Sequence, residues 1–209
     1  MSFYRPVIVL AALCGLFTGT AQAGNDNKSA AAQVSEVRKS FTLNGQTIPP
    51  GIFRDFGDGN LADSDSIWVT VDLAAAVGSN LYYDPIREYG AWKIQKKQRL
   101  ETDTPEETAY SFKGSTANGL IVLVASYNGG GSGTFHTLHI CDVVPAMAFD
   151  SDGKRTQRIN LTNLRSVALG DRWDGEVKIL GNTIRVVTTR NGPANDNARA
   201  PLTIVAERP

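Results

Sequence analysis

The 209-residue chain balances 21 Lys and Arg against 21 Asp and Glu, and zero formal charge argues against a nucleic-acid partner, whose phosphates demand a strongly basic face. Its length and its 42% apolar residues suit one domain with a real core.

Met1 to Ala23 reads as an export signal. Arg5 lies in a short polar start, an apolar run follows from Val7 to Phe17, and Ala21-Gln22-Ala23 is an Ala-x-Ala-like cleavage site. The mature chain is expected to begin at Gly24, in the periplasm or secreted. The apolar run is too short for a permanent spanning helix and none comparable follows, so no transmembrane segment is expected after cleavage. Cys14 raises a lipoprotein as the lesser alternative, because Leu13 stands where a lipobox has a small residue. Cleavage leaves Cys141 as the lone cysteine, which excludes an internal disulfide. In a strand it reads as a small buried apolar residue, with an intermolecular disulfide open if the thiol is exposed.

Residues 24–39 form a flexible leader by this reading, since GNDNKSAAA has no apolar period, although Ala30 to Lys39 has room for a short helical turn. From residue 40 to 189 the pattern is mainly β: a single antiparallel domain, sandwich or barrel-like, with at most short helices. Phe41 to Ile48 is a compact hairpin around Asn44-Gly45, a pair favoured in two-residue turns. Asp55, Asp58, Asn60, Asp63 and Asp65 then crowd one loop. Such oxygen density suits Ca²⁺, yet no frame matches an EF-hand, so the loop reads first as an Asx-rich turn and only weakly as a calcium site. Ile67 to Leu73 alternates as a strand, and Ala74 to Gly78 adds a helical turn. Tyr89 to Leu100 sets Trp92 and Ile94 on one face against Lys93, Lys97 and Arg99 on the other, a protected edge or a basic stripe beside tryptophan. Thr108 to Lys113 carries Tyr110 and Phe112 on one face.

Gly119 to Val144 is the stretch around which the rest is organised. Leu120 to Val124 and Thr134 to Cys141 both have strand propensity, and Asn128-Gly129-Gly130-Gly131-Ser132-Gly133 between them reaches positive φ cheaply, which predicts a hairpin with a long loop. A phosphate-binding loop would need a following lysine and helix; here Thr134 and Phe135 begin a strand. The nucleophile elbow also fails, because Thr134 occupies the place of its last glycine. Pro145 to Phe149 is a short strand and Asp150 to Gly153 a turn, within which the Ser151-x-x-Lys154 match is fortuitous. Ile159 to Leu169 is one strand or two. Asp174-Gly175 and Gly181-Asn182 bracket Glu176 to Leu180, and Thr183 to Thr189 returns with Ile184 and Val186 on one face. Residues 190–209 are a polar linker, Arg190 to Ala200, and an edge strand over Leu202 to Ala206, where Pro201 is tolerated at the start.

The ordered set Gly130-Gly131-Ser132-Gly133-Thr134-Phe135, then Leu169-Gly170-Asp171-Arg172, then a hairpin over Ile179 to Val187 resembles a pattern in uncharacterised exported bacterial β-rich proteins and lipoproteins. It spans Val122 to Val187, about a third of the chain after residue 23. The resemblance implies a small β domain of unknown function and carries no catalytic residues across.

Two functional classes remain. The favoured one is a non-catalytic binding or accessory module of the cell envelope, with a protein or glycan partner, no cofactor and no metal. Its candidate ligand-binding residues are Gly130, Gly131, Ser132, Gly133, His136, His139, Asp171 and Arg172. The alternative is a periplasmic hydrolase built from His136, His139, Asp142, Asp171 and Arg172. Strand alternation sends His136 and His139 to opposite faces, so they cannot clasp one metal, whereas His139 and Cys141 share a face and are too few for zinc. Asp171-Arg172 reads as an ion pair fixing a turn.

Overall fold

A computed structural model describes residues 29–54, 56, 69–78, 85–97, 104–188 and 201–208. The export signal, the acidic loop residues Asp55, Asp58, Asn60, Asp63 and Asp65, and the linker 190–200 lie outside the described residues.

In chain order the elements are α1 (Ala30–Ser40), β1 (Thr42–Leu43), β2 (Gln46–Thr47), a 3-10 helix (Pro50–Arg54), β3 (Val69–Asp72), α2 (Leu73–Gly78), β4 (Arg87–Tyr89), β5 (Trp92–Lys97), β6 (Glu106–Ser115), β7 (Ile121–Asn128), β8 (Phe135–Phe149), β9 (Arg155–Asp171), β10 (Gly175–Leu180), β11 (Thr183–Thr188) and β12 (Leu202–Val205). The strands form a seven-stranded antiparallel sheet in the order β3-β9-β8-β7-β6-β5-β4, a three-stranded one, β10-β11-β12, and the small β1-β2 hairpin. The domain is therefore β-rich and layered. It is not a barrel, because the large sheet stops at β3 and β4 instead of closing.

The leader reading needs correction over residues 30–39. They belong to α1, whose Ser29 Oγ caps Ala32 N–H at 3.3 Å and whose Val34 and Val37 are buried. Two valines among alanines make too narrow a stripe to announce a helix, and 11 residues are marginal alone; packing against the sheet supplies what the local sequence lacks. The helix ends where Phe41 turns left-handed at φ 53°, its N–H donating to Val37 O at 2.9 Å. That conformation is costly for an aromatic residue. It is held because the Phe41 ring is buried, edge-on to Tyr110 at 5.1 Å and stacked on Phe112 at 6.0 Å.

The large sheet separates two apolar cores. On one face α1, α2, the β1-β2 hairpin and the 3-10 helix cover Ile121, Leu123, Cys141, Val143 and Leu161. On the other, Ile184, Val186 and Ile204 of the small sheet cover Leu120, Val122, Val124, Leu138 and Ile140. Strand β7 is consequently buried on both sides, which is why its sequence is a continuous apolar run instead of an alternation. The predicted turns hold: Asn44 and Gly45 adopt φ 52° and 76°, and Gly181 φ 62°.

The second strand of the central hairpin is longer than its sequence indicates. Strand β8 runs unbroken to Phe149 and pairs with β9 along its whole length. Pro145 is accommodated because β7 stops opposite Cys141. Val143 O faces outward there to Arg38 Nη2 at 3.1 Å, so two residues on, the nitrogen of Pro145 also faces the free edge, where no ladder bond is lost. Two irregularities shift the β8–β9 register, between His136 and Thr137 and between Ile140 and Cys141. Each leaves one extra β9 residue, Leu169 and Leu164.

Candidate functional site

At one end of the large sheet the β7–β8 loop meets the β9–β10 turn. Asn128 Oδ1 accepts from Gly130 N–H at 2.8 Å, an Asx turn, and Asn128 Nδ2 reaches Thr134 Oγ1 at 3.3 Å. Gly130 sits at φ 91°, and a Cβ there would lie 3.0 Å from the carbonyl oxygen of Thr104. Gly131 has open space around it, whereas a Cβ at Gly133 would lie 3.2 Å from the Phe135 ring and 3.6 Å from Asp171 Oδ1.

The Asp171-Arg172 turn grips the far end of this loop. Arg172, at φ 47°, donates its N–H to Thr134 O at 2.7 Å, and Asp171 Oδ1 accepts from Thr134 N–H at 2.8 Å. The Arg172 guanidinium donates to Ser132 O at 2.5 Å and lies 4.0 Å from Asp171 Oδ2. Five of the residues singled out from sequence, Gly130, Ser132, Gly133, Asp171 and Arg172, thus form one knot. Its side chains stay accessible, with Arg172 53% and Asp171 43% exposed.

His136 continues the site across the face that carries the small sheet. Its ring lies 5.8 Å from Trp92, edge-on, and 6.2 Å from Trp173. Trp173 N–H donates to His136 Nδ1 at 3.2 Å, which places the imidazole proton on Nε2 and favours the neutral ring. Burial lowers its pKa in the same sense. Lys113 lies 5.8 Å over the Trp92 ring, and burial lowers its pKa too. Two buried polar atoms beside this row, Ser111 Oγ and Trp173 Nε1, have no hydrogen-bond partner among the described residues, an uncommon state that marks a place for a water or a ligand atom. The Trp173 slot depends on Gly175, where a Cβ would clash with the indole and with Val187 O.

His139 does not belong here. As strand alternation requires, it faces the opposite core, packed between Phe53 at 5.4 Å and Phe56 at 5.6 Å with both rings tilted to it. Its Nδ1 meets Ser166 Oγ at 3.0 Å, which Asn163 Nδ2 also reaches at 2.8 Å, and burial pulls its pKa down to about 4. This is a satisfied core histidine. Cys141 shares that face, fully buried, its thiol pKa raised by burial, so it is an inert apolar filler. Asp142 stands apart from both histidines, ion-paired with Arg38 at 3.5 Å and Arg208 at 3.1 Å. Among the described residues no three His, Cys, Asp or Glu side chains gather as metal ligands, and no helix is long and apolar enough to cross a membrane.

Sequence reasoning missed Ser111, Lys113 and Trp173. The available signal was Trp173 itself, an aromatic residue directly after Asp171-Arg172 and two before a glycine. Comparison with known proteins finds no matching family model, no similar curated protein and no similar solved structure, so function has to be argued from this geometry.

Proposed function

We propose that this chain is an exported, soluble, non-catalytic binding or accessory module of the cell envelope, and that it meets a glycan or protein partner at the end of its large sheet. The observation that carries the reading is the convergence of the glycine loop, the Asp171-Arg172 turn and the Trp92–His136–Trp173 row at one edge. Indole faces stack on sugar rings or apolar side chains, while an exposed guanidinium and carboxylate exchange hydrogen bonds with hydroxyls or peptide groups. The same parts serve chemistry poorly. Asp171 and Arg172 hold main-chain groups, His136 Nδ1 is occupied by Trp173 N–H, and the other hydrolase candidates, His139 and Asp142, lie elsewhere.

Cosedimentation of the mature chain with purified peptidoglycan sacculi, and its retention by immobilised envelope-protein extract, test the reading. Wild type is expected to bind one of the two, Arg172→Ala to weaken that binding with little change in unfolding temperature, and Trp92→Ala to weaken it while also lowering stability through the core it packs against. Equal binding by all three proteins, or none by wild type, refutes it. Release of soluble fragments from sacculi that depends on His136 would instead establish the hydrolase.

A further inference from the structure

A second feature lies well away from the loop end, where the small sheet crosses β8 and β9. A half-open groove of about 320 Å³ runs between Ile140, Leu164 and Arg165 on one side and residues 205–208 on the other. Its position follows from the layering. Strand β10 packs over β6, with Ile179 beside Gly114, so β12 comes last across the sheet, and its continuation reaches β8 through the Arg208–Asp142 ion pair. The outer edge of β12 therefore faces β9 across the groove.

That edge offers main-chain groups. Ala206 N–H donates to Asn182 O at 2.8 Å, and Ala206 O accepts from Asn118 Nδ2 at 2.9 Å, so Ala206 points toward β11. Strand geometry turns the N–H and C=O of Val205 and Glu207 the opposite way, into the groove. Among the described residues β12 pairs only with β11, and nothing bonds the outward groups of Val205 and Glu207. The floor is apolar, made by Ile140 and by Leu164, the extra residue of a β9 bulge, and bulges recur beside functional sites. The charge is one-signed in excess. Arg165 and Arg208 line the groove with Glu207 as the one acidic side chain among the lining residues; Arg208 is ion-paired with Asp142, and Arg165 is exposed with no ion-pair partner among the described residues.

We propose that this groove is a docking site for an extended acidic peptide segment of another protein, which adds as a strand to the free edge of β12. Main-chain bonds to Val205 and Glu207 supply the pairing, an apolar side chain enters over Ile140 and Leu164, and a neighbouring carboxylate meets Arg165. A free strand edge above an apolar floor is the arrangement that strand addition uses, main-chain bonds giving affinity and the floor taking alternate side chains. A lipid-like anion would use the floor and the arginine and leave the main-chain groups unmet.

The test is a ¹H–¹⁵N titration of the mature chain with the acetylated, amidated peptide Ser-Val-Asp-Val-Asp-Val-Ser, its lysine counterpart Ser-Val-Lys-Val-Lys-Val-Ser, and octanoate. The acidic peptide is expected to shift the amides of Val205 and Glu207, and to bind about fivefold more tightly than the lysine peptide, the worth of one exposed ion pair. Val205→Pro removes one outward N–H while leaving the β11 ladder intact, and abolishes the shifts. Arg165→Glu, a surface change with no folding burden, reverses the preference between the peptides. Arg172→Ala leaves the titration unchanged, which separates this site from the loop end. Shifts elsewhere, no shifts, equal binding by Val205→Pro, or shifts at these amides with octanoate alone each overturn the proposal. So does a concentration-dependent dimer that Val205→Pro dissolves, since the edge would then belong to a second copy.

Discussion

Acidification should loosen this protein through one side chain. Unfolded, His139 titrates near 6.5, and in the folded chain burial holds it down to about 4. The unfolded state therefore binds the proton first. Stability contributed by the neutral ring is complete above pH 6.5 and is lost as pH falls from there toward 4. At pH 5 an ordinary histidine is almost wholly protonated while this one is not, and the linkage amounts to about 2 kcal/mol relative to pH 7.5. Urea unfolding of wild type and His139→Gln at both pH values isolates the effect, because the remaining groups, His136 included, titrate in both proteins. The variant should be less stable at pH 7.5, having lost its packing between Phe53 and Phe56, and should lose about 2 kcal/mol less on acidification. Identical losses would mean that water and protons reach His139 in the folded state. The sealed core described around it would then be wrong.

Gly175→Ala places a methyl group against main-chain oxygen and the Trp173 indole; a drop of about 1–3 kcal/mol is expected from overpacking, and an unchanged melting curve would show that Trp173 does not occupy that slot. In the central loop, Gly130→Val should cost about 1–2 kcal/mol from its positive φ alone, whereas Gly131→Val, with open space around it, should stay within about 0.5 kcal/mol of wild type; equal stabilities would leave the loop without its turn role. Intact-mass measurement of the exported protein should give a chain starting at Gly24, and a cytoplasmic chain retaining Met1 would contradict the signal reading.

What the sequence disclosed was local. Asn44-Gly45 and Gly181-Asn182 are turns because their backbone demands are written in the residues, and β11 shows its buried face through Ile184 and Val186 alone. The separation of His136 from His139 followed from strand alternation. Non-local facts were not legible. Nothing in Val69 to Asp72 says that it pairs with β9 at the far edge of the sheet, or that the strands β10, β11 and β12 will leave that sheet for another layer. The grip of Asp171 and Arg172 on Thr134 depends on the register shift beside His136, and one-residue shifts leave no compositional trace. Helix α1 was legible only as a short helical turn over Ala30 to Lys39, for the opposite reason, since its stability resides in the surface it covers.

A sheet roofed on both sides has a consequence for how the chain comes into being. The strands of the large sheet are complete in the polypeptide by Asp171, and the helical cover of one side is complete by Gly78, but the other roof is made of β10, β11 and β12, which are synthesised last. Until Ile184 and Ile204 arrive, the side bearing Val122, Val124, Leu138 and Ile140 has nothing over it. A nascent chain paused at Asp171 is a nearly finished sheet with one greasy surface bare to water, the kind of species that sticks to its neighbours. Loss of the final strand by proteolysis or an early stop codon would remove Ile204 and Ala206 and reopen part of that surface permanently. Damage to the last few residues should thus be felt as aggregation of the whole protein, far out of proportion to the length removed.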